Sequence, residues 1–183
     1  MTLQLLQQKL PDIRLWIERT LAMHSTRARA VSSYHFPRLS QYYPDDILNN
    51  SRIVEVPRVP VPPLTAMGLH QFAEFEKGDY EGITYLNTYF VKADAVHNES
   101  LHFHELVHVV QWQHLGPERF LMAYAIGYFA GGGYRNNPLE VMAYDLQARF
   151  DNKGPPFDAA PLIQQDLDNL IPALLDRAFK GEL

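Results

Sequence analysis

The sequence contains no cysteine. That absence removes disulfides, thiol nucleophiles and thiolate metal ligands together, and is compatible with a reducing compartment. Any metal site has to be assembled from His, Asp and Glu. No apolar run approaches the roughly 18 residues needed to cross a bilayer. The amino terminus, MTLQLLQQKLPDIRLWIERT, places glutamines where a signal peptide would carry an unbroken apolar core. A cytoplasmic location without membrane contact is the resulting expectation. Basic residues are also short: the formal net charge is −5, and no Lys/Arg cluster supplies the local excess that phosphate-backbone binding requires. Nucleic acid is not an expected partner. Internal repeats and low-complexity tracts are absent.

What remains is an ordinary globular composition, 46% hydrophobic over 183 residues, enough for one sizeable core and read as a single domain, 1–183. Residues 1–36 read as a helical segment, Leu3 to Leu10 and Asp12 to about Ala30 divided by Pro11, with Ile13, Trp16, Ile17 and Leu21 at helical spacing. It either packs on the core or serves as a removable inhibitory segment. Residues 37–66, rich in proline and turn formers around the strand-like SRIVEV, read as an extended surface wrap. His70–Glu76 and ITYLNTYFVK (Ile83 to Lys92) read as two strands, forming a hairpin near a sheet edge. Helices are expected over about Glu99–Leu115, Pro117–Ala130, Pro138–Phe150, Ala160–Leu170 and Pro172–Lys180.

The most informative stretch is HFHELVHVVQWQHLG, from His102. On a helix, positions i and i+4 share a face, so His104 and His108 can present both imidazoles to one point. Leu101, His104, Glu105, His108, Gln111 and Trp112 fall on one side of the wheel, and Phe103, Leu106, Val107 and Val110 on the other. The first side is expected to line a cleft. In this H-E-x-x-H spacing Glu105 stands where its carboxylate can take a proton from water, as a base and not a ligand. His102 and His114 point away from that face, and His24, His35, His70 and His97 sit alone as ordinary structural or surface histidines.

A catalytic zinc usually keeps three protein ligands. The third candidate lies in GGGYRNNPLEVMAYDLQARF, where Asn137 and Pro138 form a helix start and place Glu140 in the first turn, flanked by Tyr144 and Gln147. Asn137-x-x-Glu140 is also capping-box spacing, in which the glutamate would turn back to its own N-cap amide. The residues alone leave both roles open.

The run HFHELVHVVQ, preceded by ITYLNTYFVK and followed by NPLEVMAYDLQ, resembles the gluzincin group of zinc metallopeptidases, in particular their small bacterial forms and peptidase domains related to injection-system core proteins. The likeness covers about Gly82 to Phe150. It implies a small zincin-like core, placed at 67–150: a short mixed or antiparallel sheet whose edge strand packs on the H-E-x-x-H helix, then a ligand helix. With the helical segments read at both ends, the C-terminal one over 151–183, the expected fold class is α+β. Carried over by position, it implies one zinc per chain on His104, His108 and Glu140, Glu105 as general base in peptide-bond hydrolysis, and a peptide or protein substrate paired along Tyr85, Asn87 and Tyr89. It requires a donor to the oxyanion, for which Tyr134, Arg135 and Tyr144 are candidates. Where many gluzincins carry an aspartate four residues after the ligand glutamate, this chain has Tyr144. The alternative expectation is a latent or non-catalytic metal-bearing scaffold or peptide-binding module with the same core.

Overall fold

The computed structural model describes residues 3–180 and is of the α+β class. Helix α1 (Leu3–His24) is followed by a 3-10 turn at Ser25–Arg27, the short strand β1 (Arg29–Ala30), helix α2 (Asp45–Asn50) and strand β2 (Arg52–Val56). Helix α3 (Ala73–Lys77), strands β3 (Gly82–Tyr85) and β4 (Thr88–Lys92), and helices α4 (Glu99–Ala130), α5 (Pro138–Asp151) and α6 (Ala159–Phe179) complete the order. The four strands form one mixed sheet in the order β1-β2-β4-β3, with β2 and β4 parallel and the two outer pairings antiparallel. No helix among the described residues is long and apolar enough to cross a membrane.

The inner strands carry the buried runs. Ile53, Val54 and Val56 of β2 and Tyr89, Phe90 and Val91 of β4 are buried, the near-continuous pattern of strands covered on both faces. The register pairs Ile53 with Tyr89 and Ile83 with Phe90, which leaves β3 as the edge on the side of α4.

The first arm of α4 is the centre of the molecule. Asn98 caps it by accepting from the Leu101 amide, and every residue from Leu101 to Trp112 is buried. A helix buried all round has no side turned to bulk water, so the polar face read from the sequence is enclosed by β3 and α5, where Glu105, His108 and Trp112 line a cleft. The arm ends at Gly116, whose φ of 73° and ψ of 164° belong to a region almost confined to glycine. Pro117 then starts the second arm at the position where its missing N–H costs nothing.

Several elements differ from the sequence expectations. α1 runs unbroken through Pro11, and α6 through Pro172. An interior proline costs ~3 kcal/mol, but Leu6, Ile13 and Ile17 are buried along one face of α1, and each such side chain returns about 1.5–3 kcal/mol. In α6 the buried Ile163, Leu167, Ile171 and Leu174 do the same. His70–Glu76 is helical, a 3-10 turn leading into α3. Phe72 and Phe75, three residues apart, share a helical face. ITYLNTYFVK is itself the hairpin, turning at Leu86, which takes a left-handed φ of 59°. The 37–66 stretch contains α2 and β2 as well as extended chain.

Candidate metal centre

Three side chains from two helices meet at one buried point. His104 Nε2 and His108 Nε2 stand 3.1 Å apart, and Glu140 Oε2 is 3.4 Å from each of them. Ligand atoms held at about 2.0–2.1 Å in a tetrahedron lie ~3.3–3.4 Å from one another, so the three edges match the footprint of one small ion. All three residues are buried, and the group can hold a metal ion.

The hydrogen-bonding roles are consistent with that. Glu140 Oε1 accepts from the Tyr124 hydroxyl at 2.6 Å, whereas Oε2 has no hydrogen-bond partner among the described residues. The nearest polar groups to Oε2 are the two imidazole Nε2 atoms, 3.4 Å away, so a proton or a cation at the shared point is what offsets the cost of burying it. Glu140 is not a capping-box residue. The Asn137 amide donates instead to Tyr134 O at 3.1 Å, and the Asn137 side chain caps the helix through the Leu139 amide while donating to Tyr124 O. Asn137 thus starts α5 and fixes Tyr124 in the same step. It lies against Gly127, where a Cβ would stand 2.5 Å from Asn137 Oδ1.

The electrostatics ask for positive charge here. Burial disfavours charge on Glu140, yet the two histidines outweigh it and hold the carboxyl well below its usual range. His108 also resists charging by burial, but Glu140 and Glu105 push its pKa up to about 9. In the metal-free protein a proton on His108 therefore occupies the position that a metal ion would compete for.

Glu105 is buried beside this point and is held separately. Its Oε2 accepts from Thr84 Oγ1 at 2.6 Å, and Trp112 Nε1 donates to Thr84 O at 3.1 Å, fastening the edge strand to α4. Gly82 makes room for the carboxylate, since a Cβ there would stand 2.3 Å from Glu105 Oε1. Burial raises the Glu105 pKa against the lowering effect of both histidines and Thr84.

A cleft opens from these groups, lined by Glu105, His108 and Glu140 and otherwise mainly by apolar and aromatic side chains, among them Phe75, Phe120 and Tyr124. Leu6, Ile13 and Ile17 of α1 line it as well, and Trp16 meets Tyr85 edge-on at 5.7 Å.

The remaining sequence candidates separate clearly. Tyr134 lines the cleft, and its hydroxyl is pushed well above the usual tyrosine range by burial and by Glu140. Tyr144 lies over the His104 ring at 4.6 Å, with its hydroxyl 3.5 Å from that of Tyr134. Arg135 is exposed and is not part of the cleft lining. The expected substrate strand is corrected: it is a hairpin, and of its two strands only β3 is at a sheet edge. Tyr89 lies on interior β4, buried with its hydroxyl on His102 Nδ1. Asn87 sits in the turn and donates to Asn50 O, and the buried Tyr85 donates to Pro60 O. His102 is structural, its Nε2 donating to Val96 O, with burial lowering its pKa to about 4. His114 pairs with Asp168.

Thr84, Tyr124 and Gly82 were not legible as site residues. Tyr124 is 16 residues from the carboxylate it holds, and Thr84 is 21 from Glu105, with no spacing rule to link them. No protein-family model matches the chain, and no curated protein or solved structure matches it either.

Proposed function

We propose that this chain is a zinc-dependent peptidase of the gluzincin kind, with His104, His108 and Glu140 as ligands and Glu105 as general base. The observation that carries the reading is the buried pairing of two unlike sites: three lone-pair donors converging on one point, and beside them a carboxylate that belongs to none of them. Two histidines and one carboxylate suit zinc and leave a fourth position free. Zinc bound there supplies Lewis acidity, bringing the pKa of its water toward neutrality and polarising the scissile carbonyl.

The protein's own groups account for the other roles. Burial raises the proton affinity of Glu105, so it accepts the water proton and returns it to the leaving amine. Thr84 holds it in place for both transfers. Tyr134, in the cleft lining with a strongly retained proton, donates to the developing oxyanion, with Tyr144 behind it. β3 is the edge strand beside the cleft and offers an extended peptide the backbone groups that Trp112 leaves open.

The deciding experiment is elemental analysis of the purified protein beside Glu140→Ala, followed by a peptide-library screen. About one zinc per chain, lost in the variant, with cleavage of at least one peptide, is the expected result. A chain that takes up no metal after zinc loading would overturn the reading. A second reading, a latent form of the same centre, is favoured by one observation: Leu6, Ile13 and Ile17 of α1 lie in the cleft that a substrate has to enter.

A further inference from the structure

We infer that Gln147 and Gln111 are positioning residues that fix a hydrogen on Nδ1 of both histidines, so that Nε2 of each is the atom turned to the ligand point before any ion arrives. This rests on the metal-centre reading but concerns residues that the sequence pattern does not single out as ligands or catalysts.

The donor and acceptor roles follow in one direction from the surface inward. The Asp151 carboxylate only accepts, so the single hydrogen of Ser100 Oγ goes to Asp151 Oδ2 at 2.9 Å. Ser100 Oγ is then left to accept from Gln147 Nε2, also at 2.9 Å. That turns the Gln147 carbonyl to His104 Nδ1 at 3.0 Å, and a carbonyl requires that nitrogen to donate. With its hydrogen on Nδ1, neutral His104 presents a lone pair at Nε2.

The second arm is independent. Gln111 Nε2 donates to Leu139 O at 3.0 Å, and only a donor fits there. Its carbonyl oxygen therefore faces His108 Nδ1 at 2.8 Å. Leu139 directly precedes Glu140, so this one amide also ties His108 to the helix that supplies the third ligand.

The geometry explains why Tyr144 can stand where an aspartate was expected. The partner of His104 comes one turn later on α5, from Gln147, with Asp151 a further turn on, and Ser100 in the first turn of α4 closes the chain between the helices. Both partners are uncharged amides. They orient the imidazoles without adding negative charge, leaving Glu140 and Glu105 as the anions of the centre.

The test uses the full-length, metal-free protein with 15N-labelled histidine, in which side-chain nitrogen shifts report where each imidazole carries hydrogen. His104 is expected with hydrogen on Nδ1 and a bare Nε2. Gln147→Met, close in size, should release that preference and weaken zinc binding about 10–100-fold, and Gln147→Glu, whose carboxylate accepts the same bond, should restore affinity. Ser100→Ala should leave a mixed tautomer and cost less affinity, and it decides the matter if Gln147→Met does not fold. Hydrogen on Nε2 of His104 in the unmodified protein would overturn the inference, as would an unchanged tautomer or unchanged zinc affinity in Gln147→Met, or an unchanged tautomer in Ser100→Ala. A chain that takes up no zinc would sink the metal centre, while the tautomer would still decide this arrangement.

Discussion

The Thr84 hydroxyl donates to Glu105 Oε2 at 2.6 Å, joining the edge strand β3 to the carboxylate beside the candidate metal point. A hydrogen bond to a charged group is worth about 1.5–3 kcal/mol, so Thr84→Val, which keeps the shape, should lower peptide hydrolysis by roughly 10–100-fold. Zinc content should not change, because Thr84 touches no ligand. Losing zinc and activity together in this variant would mean that Thr84 supports the metal centre instead of the base. Gly82→Ala, which drives a methyl into Glu105 Oε1, should reproduce the activity defect.

Glu105 and His104 are adjacent in the chain and make opposite predictions. Glu105→Gln should keep about one zinc per chain and lower turnover by about 10²–10⁴-fold, the usual contribution of a general base. His104→Ala should lose tight zinc as well as activity. Elemental analysis with a fluorogenic peptide assay reads both, and an active Glu105→Gln protein or unchanged zinc affinity in His104→Ala would remove the respective assignment.

The two helices of the ligand set were legible because their chemistry is local. His104, Glu105 and His108 share a helical face by spacing alone, and Asn137-Pro138 announces the helix that carries Glu140. What the sequence left open was decided by contacts between distant segments. Glu140 had two possible partners until the Asn137 amide was found on Tyr134 O. The strand Ile83–Lys92 read as one element because Leu86 is a poor marker for a turn, lacking the glycine or asparagine that usually takes positive φ. The prolines of α1 and α6 were over-read as breaks, since local propensity does not include the burial of Ile13 or Ile171.

The pKa shifts give the metal-free protein a defined pH response. His108 is raised in the folded state to about 9, so its contribution is fully present below the unfolded value near 6.5 and is lost as pH rises through about 9. Glu140 is depressed, so its contribution holds above the unfolded value near 4.5 and is lost as pH falls further below it. Glu105, raised by burial, loses its contribution as pH rises above its unfolded value near 4.5. Thermal unfolding of the metal-free protein should therefore show Tm falling between about pH 6.5 and 9. Zinc must displace the proton on His108, so the Tm increase on adding zinc should grow over the same window. A zinc-induced shift that is independent of pH there would argue against competition at His108.

Tyr134 and Tyr144 can be told apart from Arg135 by how turnover and binding divide. A donor that acts only on the developing oxyanion lowers kcat with little change in KM. Tyr134→Phe should lower kcat by roughly 10²-fold or more with zinc intact, Tyr144→Phe should have a smaller effect through its neighbour, and Arg135→Ala should have none. A kcat defect in Arg135→Ala equal to that of Tyr134→Phe would require the exposed arginine to reach the cleft.

The position of α1 determines whether the proposed active site is open as it stands. Leu6, Ile13 and Ile17 are 1%, 5% and 3% exposed and line the same cleft as Glu105 and His108. A clear cross-tie from the polar side of α1 is the exposed Arg14–Glu118 ion pair, and exposed pairs are worth about 0–1 kcal/mol. The tether, Ser25 to Arg27, is exposed as well. Cohesion between helix and cleft is therefore mainly apolar, and two carboxylates placed in that seam should break it. Ile13→Asp with Ile17→Asp in the full-length chain should make Arg27 more sensitive to trypsin and raise peptide hydrolysis by ~10-fold or more at unchanged zinc content, an opening of at least ~1.4 kcal/mol. If the helix is released, as trypsin would show, but hydrolysis stays level, α1 is ordinary packing and the substrate enters the site from another side.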